Sequence, residues 1–501
     1  MDRRDFLRTM MAGALLSPAL SGSSLASVYA GLMTVNRDLE ALTLDGSEQI
    51  LARASVQSLA DTLRGKLLLP GNAAYDSARQ VLNPIIDKYP ALVVQPTGTA
   101  DIMSAVDFAR ENNLVVAVKC GGHSYSGKST CNGGMMIDLS TFRNVRVDPT
   151  TRSAYVTGGS LLGPLDHEAM ALGLVTTAGT VSHTGVGGLA TGGGFGRLAR
   201  RYGLTLDNIK SVDVVSADGR LRQASADQNP DLYWGVRGAG GNFGVVTAFE
   251  FDLHPMEREV IGGMLVFPID RLREVLEVYA QYSPVSPNEL YTDLIAMYPA
   301  GGKPGFVALD VCWSGPVAEY EQAMKPYLAI RGPISNGIKA IDYVALQRSG
   351  DVSDPRSWAT YLKGGFVPAI KPELVEAVVD GLQANPDRST IILFQHSGGA
   401  IAEVAVDATA FAHRYASHNM LPMVAWRAGS PSGPHMDYMR SFWKSVGPFT
   451  HGFYTVEVGD SHDSREVNRN YQGNYARLAE IKKRYDPSNI FRLNANILPT
   501  A

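Results

Sequence analysis

Lys119-Cys120-Gly121-Gly122-His123-Ser124-Tyr125-Ser126-Gly127 is the stretch on which the reading of this chain turns. It follows Leu114-Val115-Val116-Ala117-Val118, an unbroken apolar run that predicts a buried strand. The loop then leaves a sheet edge with main-chain amides free to meet an anion. Glycines 121, 122 and 127 permit positive φ and a close approach by a ligand, and a pyrophosphate is the commonest ligand to demand both. Phosphate contact does not need a histidine. Either a surface turn carries His123 incidentally, or the ring meets the ligand itself.

Some sixty residues on, Thr177-Ala178-Gly179-Thr180-Val181-Ser182-His183-Thr184-Gly185-Val186-Gly187-Gly188-Leu189-Ala190-Thr191-Gly192-Gly193-Gly194-Phe195-Gly196 bears on that choice. Residues 185–190 fit the dinucleotide fingerprint with Ala in its last slot, and Asp207 stands where a ribose partner would. Such a site needs an apolar strand before the glycines and a helix after them, whereas Thr, Gly and Ser precede these and more glycines follow. The glycines between 179 and 196 instead predict extended backbone lying along a flat ligand, where any Cβ would collide.

Together the two segments resemble the flavin-lining loops of the berberine-bridge-enzyme-like FAD-linked oxidases, of the vanillyl-alcohol-oxidase (PCMH) superfamily. The resemblance continues through Asp213–Gly219, through Asp231-Leu232-Tyr233-Trp234-Gly235-Val236-Arg237-Gly238-Ala239-Gly240-Gly241-Asn242-Phe243-Gly244, and through Lys483-Arg484-Tyr485-Asp486-Pro487-Ser488-Asn489-Ile490-Phe491-Arg492-Leu493-Asn494. It implies FAD bonded to the imidazole of His123. Lys119, Cys120, Gly121, Gly122, Ser124, Tyr125, Ser126, Gly127, Gly179, Thr180, Thr184, Gly185, Gly188, Gly192, Val246 and Asn494 then become the residues expected around the cofactor. Bicovalent relatives carry a cysteine where this chain has Val181, so the resemblance implies one covalent bond only.

The implied fold class is α+β, a PCMH-type FAD-binding lobe plus an antiparallel-sheet substrate lobe covered by helices. The expected divisions are an export signal over 1–30, a helical segment over 31–84, the FAD-binding domain over 85–260, the substrate domain over 261–460 and a segment returning to the first lobe over 461–501. At 501 residues, 45% hydrophobic and 19% charged, the chain has the composition of a globular protein of more than one lobe. A net charge of −4 offers no basic surface for nucleic acid. Arg3-Arg4-Asp5-Phe6-Leu7-Arg8, a modestly apolar run from Met10 and small residues to Ala30 have the layout of a twin-arginine signal, with an amphipathic helix or an uncleaved anchor as the alternatives. Export by that machinery implies a periplasmic or secreted protein with no stable membrane span after cleavage. Cys120, Cys131 and Cys312 allow one disulfide at most, and free thiols are the favoured state.

Local patterns predict strands at 92–96, 263–267, 306–311 and 391–396, and helices from an N-cap at Thr99, at 162–172, 270–282, 317–329 and 372–384. A proton acceptor is expected from the substrate lobe. Gly452-Phe453-Tyr454-Thr455-Val456-Glu457 resembles the family strand whose tyrosine faces the flavin, which makes Tyr454 the first candidate. Relatives have Asn and an aromatic at Val456 and Glu457; strand parity would set Glu457 away from Tyr454 unless a bulge intervenes. Asp407 is placed on a strand of 404–414, as an acid or as a solvated carboxylate. His396 and His413 are candidates for the cavity wall, Tyr361 and Trp426 for stacking walls, each with core packing as the alternative. The expected function is removal of a hydride from a C–H of a small molecule (sugar, alcohol, alkaloid or polyketide-like) with dioxygen as electron acceptor. A dehydrogenase using a quinone or protein acceptor and an inactive flavin-binding protein are the alternatives. No metal-ligand pattern is present in the sequence.

Overall fold

The computed structural model describes residues 34–351, 355–385, 389–457 and 463–500. Residues 1–30, read above as an export signal and including Arg3 and Arg4, lie outside them.

Two sheets build the first lobe. The smaller contains β1 (Lys66–Leu68), β2 (Leu92–Gln95), β3 (Val116–Lys119) and β4 (Met135–Asp138) in the order β1-β2-β4-β3, with β2 and β3 both parallel to β4. Buried on both faces, these strands are the continuous apolar runs the sequence shows. Helix α1 (Thr99–Glu111) covers one face with Ile102, Ala105, Val106 and Ala109, the spacing of a single helical stripe. Its N-cap is Gly98 rather than Thr99, and no side chain caps from that position. Buried Asp101 in the first turn ties the helix start to its surroundings, accepting from the amides of Thr97 (2.8 Å), Arg64 (2.9 Å) and Gly65 (3.0 Å). The preceding segment is more than helix and loop: besides a helix at Arg53–Thr62 it holds an antiparallel hairpin of Leu39–Leu42 with Glu48–Leu51, and β1 itself.

A second, antiparallel sheet runs through β5 (Val145–Asp148), β6 (Ser153–Thr157), β7 (Ile209–Val215), β8 (Leu221–Ser225) and β9 (Val245–Asp252) in the order β8-β7-β9-β6-β5. Between β6 and β7 lie α2 (Leu162–Met170) and α3 (Val186–Gly192). The glycine strip is therefore not extended throughout. Its middle forms two helical turns because Val186 and Ala190 find a buried stripe there, and the irregular backbone begins at Gly193 and Gly194.

The substrate lobe is one antiparallel sheet, with a central order β10 (Glu259–Pro268), β12 (Phe306–Trp313), β11 (Leu290–Tyr298), β14 (Ser389–His396), β15 (His418–Arg427), β13 (Trp358–Leu362). One face is covered by α4 (Leu272–Tyr282), α5 (Tyr320–Leu328), α6 (Pro372–Gln383) and α7 (Gly433–Val446), whose apolar stripes pack on Leu294, Leu309, Phe394, Met420 and Val424. Tyr361 and Trp426 belong to that buried core. The opposite face looks toward the first lobe.

The chain comes back to the first lobe in α8 (Tyr475–Tyr485). Fully buried Lys482 there donates to Asn242 O (2.7 Å), Phe491 O (2.9 Å) and Asp486 Oδ2 (2.6 Å), while Asp486 accepts from the amides of Ile490 and Phe491. Replacing Lys482 with Met leaves a carboxylate buried without its cation, a change worth about 3–5 kcal/mol. Lys482→Met should lower the urea midpoint of the first lobe accordingly; an unchanged midpoint would show that this closure contributes nothing to stability.

Candidate functional site

The loop after β3 meets the glycine strip by main-chain contact. A Cβ on Gly121 would lie 2.4 Å from Gly185 N, and one on Gly185 would lie 2.3 Å from Gly121 N. No residue but glycine fits either place. Within the loop the carbonyls are tied back into the protein: Gly122 O accepts from Leu82 N (2.9 Å) and Tyr125 O from Asn83 Nδ2 (3.0 Å). The turn is closed by Gly127 N on Ser124 O (3.1 Å), with Lys88 Nζ on Gly127 O (2.9 Å) and the Ser124 hydroxyl accepting from Lys128 N (3.0 Å). With the carbonyls so held, the amides of 122–126 donate to no oxygen of the described residues. Consecutive unpaired amides of this kind suit an anion, so the loop fits the pyrophosphate of FAD.

His123 stands where the loops meet. Its Nε2 is 2.7 Å from His183 Nδ1, and its Nδ1 is 3.4 Å from the Thr184 hydroxyl. Burial first and His183 second push its pKa down to about 4, so the ring is neutral and keeps a lone pair. Lys119 and Cys120 face elsewhere. Lys119 Nζ is buried on Ala78 O (2.5 Å) beside Asp138 (3.6 Å), which makes its side chain part of the lobe interior rather than a cofactor contact. The Cys120 thiol points to Ser160 O (3.4 Å), and burial raises its pKa to about 11. All three cysteines are free.

Along the strip, the position a Gly188 Cβ would take is open. Gly179 O accepts from Gln347 (3.2 Å), the Thr180 carbonyl abuts Gly350, and the Ser182 amide and hydroxyl both donate to Asp351 (2.7 and 2.6 Å). Residues 347–351 of the substrate lobe thus clamp this edge. Gly192 faces Val456. Thr191 O accepts from the amides of Gly238 and Gly240, and Asn494 lies against the Gly240–Gly241 turn; Val246 sits on β9 with its carbonyl against Gly158.

The sheet face opposite the helices is ordered in rows. Asp310 pairs with Asp293 and Gln395 with Asn419, and His396 N donates to Asp293 (2.9 Å), which aligns four polar residues across β12, β11, β14 and β15. The next row is Ala308, Ile295, Leu393 and Leu421, and beyond it stand Met297, Ile391 and Met423. Arg197 anchors the polar row to the first lobe, donating to Asp310 (2.7 Å) and to Gln347 Oε1 (3.0 Å).

Residues 452–457 form a turn rather than a strand, with Glu457 N donating to Tyr454 O (3.1 Å). Parity does not apply to a turn. Tyr454 lies on the glycine strip and accepts from Gly194 N (2.7 Å), while Glu457 receives Asn419 Nδ2 (3.1 Å) from the polar row, with Gln395 beside it. Burial raises the Tyr454 phenol far above its usual value, reinforced by Glu457, and the one amide donor does not offset it. Burial thus favours the protonated form of Tyr454. Burial lifts Glu457 to about 7, near neutrality. Asp407 is corrected too: it lies in an exposed turn after a short helix at Ala400–Glu403, and it is the carbonyl of Asp407 that is used, accepting from Trp234 Nε1 (2.7 Å). His396 is buried within the sheet, bonded to Ser283 O (2.8 Å), and His413 is stacked on Phe366 and bonded to Asn470 (3.0 Å); both are structural.

The sequence reading did not single out His183, Asp293, Gln395, Asn419, Arg197 or Gln347 as site residues. Strand alternation marks Asp293, Gln395 and Asn419 as one-face positions once register is known; nothing local marks the others.

Known proteins bear on the same residues. A model of the FAD binding domain matches 90–225, and one described as berberine and berberine like matches 463–498. An FAD-linked oxidoreductase of Dictyostelium discoideum is 30% identical over 465 residues, covering 91% of this chain and 99% of that protein. Among solved structures, 6-hydroxy-D-nicotine oxidase from Arthrobacter nicotinovorans superposes with a TM-score of 0.80 at 25% identity, over 87% of this chain and 98% of its own. Carbohydrate oxidase from Microdochium nivale does so with a TM-score of 0.80 at 25% identity, over 89% and 100%. With the unpaired-amide loop, the glycine strip and an antiparallel roof in place, this chain belongs to the berberine-bridge-enzyme-like FAD-linked oxidoreductases.

Proposed function

We propose that this FAD-linked oxidoreductase is an oxidase that takes a hydride from a C–H beside a hydroxyl or amine of a small molecule, passes the electrons to dioxygen, and holds its FAD by one covalent bond to His123. The carrying observation is the 454–457 turn, whose first residue lies on the glycine strip and whose last lies on the polar row of the roof. FAD supplies the two-electron acceptor when bound. The loop amides of 122–126 would hold its pyrophosphate, and the open side of Gly188 would leave room for it along the strip. The polar row orients the substrate's hydroxyl or amine, the apolar rows receive its carbon frame, and Glu457 accepts the proton released as the C–H is oxidised. The nicotine and carbohydrate oxidases named above support an oxidase over a dehydrogenase with another acceptor. Val181, with no thiol, supports a single tether. We propose export by the twin-arginine route on the strength of Arg3-Arg4 and Phe6-Leu7.

Acid-precipitated protein keeps its yellow colour and His123→Ala loses it; flavin washing out of the unaltered protein would refute the bond. Because Glu457 acts as carboxylate, the anaerobic rate of flavin reduction should rise with pH through about 7 and then level. Glu457→Gln should slow that step by about 10²–10⁴-fold and abolish the rise while flavin content stays full; an unaltered rate and profile would remove Glu457 from the mechanism. Replacing Arg3 and Arg4 with Lys should retain the protein in the cytoplasm, read by fractionation; undiminished export would reject that route.

A further inference from the structure

The contact between His123 Nε2 and His183 Nδ1, at 2.7 Å, needs one proton between the two nitrogens. If His183 donates, His123 carries its own proton on Nδ1. If His123 donates, its Nδ1 is bare, with the Thr184 hydroxyl 3.4 Å away. Burial keeps the His123 ring neutral in either arrangement, so one lone pair is always present. The Asp351 carboxylate, fixed by the Ser182 amide and hydroxyl one residue before His183, acts on His123 in the opposite sense to burial.

We propose that His183 is a positioning residue for cofactor attachment: it takes the Nε2–H of His123 and so holds that ring in the tautomer whose Nδ1 forms the bond to FAD. This rests on the covalent reading above. The step balances as follows. A C–H bond of the 8α methyl breaks and the Nδ1–C bond forms; the Nε2 proton passes to His183. The two electrons of the C–H bond, with the methyl proton and the Nε2 proton, end on dioxygen as hydrogen peroxide. His183 is thereby returned to its neutral form.

The test uses full-length apoprotein from riboflavin-starved cells, given FAD in air. Attachment is followed by intact mass and acid-stable absorbance, and reversible FAD binding by fluorescence quenching. His183→Ala is expected to bind FAD yet attach it at least tenfold more slowly, with imidazole in the buffer restoring part of the rate; His183→Asn, which keeps an acceptor oxygen, should fall between. Attachment at the unaltered rate in His183→Ala would overturn the proposal alone. Slow attachment that imidazole does not rescue, accompanied by weakened FAD binding, would assign His183 to loop structure and overturn it as well. Unaltered protein that never gains mass would overturn the covalent reading, and this inference with it.

Discussion

The approach of Gly121 to Gly185 is the constraint on which the site depends. Two backbones at this distance leave no room for a side chain, so the loop after β3 and the strip before α3 are held as one surface. From that fixed point His123 reaches His183 and Thr184, the amides of 122–126 donate to no oxygen of the described residues, and the strip presents Gly194 N to Tyr454. Separating the loops by one methyl would disturb all three at once.

Desolvation governs the charge state of the groups gathered there. Burial alone would leave Asp166, Asp293 and Glu457 neutral, and their hydrogen bonds only partly oppose it, so each titrates near 7. Arg197 pairs with Asp310 at the end of the polar row. The result is a roof whose polar row has one fixed ion pair at its end and adjustable carboxyls along it. Gln347 and Asp351 tie the same lobe to the strip, so the substrate-facing surface and the cofactor-facing surface are joined by buried polar contacts rather than by apolar packing alone.

Much of this was legible in the chain and some was not, for separable reasons. The strands of the smaller sheet and the roof are visible because burial makes them apolar on one or both faces, and α1, α4 and α6 because their stripes recur at helical spacing. The turn at 452–457 was misread because six residues of mixed apolar and polar character look like a strand until a tertiary contact, here Tyr454 with Gly194, fixes their path. Asp407 failed for the same reason. Glu457 is identifiable as unusual from its residue type, but its partner Asn419 is 38 residues away and is found only through sheet register. The His123–His183 contact spans 60 residues between two loops, and no periodicity links loops.

The closure of the first lobe by α8 has a consequence for biosynthesis. Lys482 and its partner Asn242 are separated by 240 positions, and the entire roof is translated in between. At roughly 5–20 residues per second, that interval is on the order of tens of seconds. Throughout it the nascent first lobe lacks α8, whose Leu478, Ala479, Ile481 and Tyr485 complete its apolar interior.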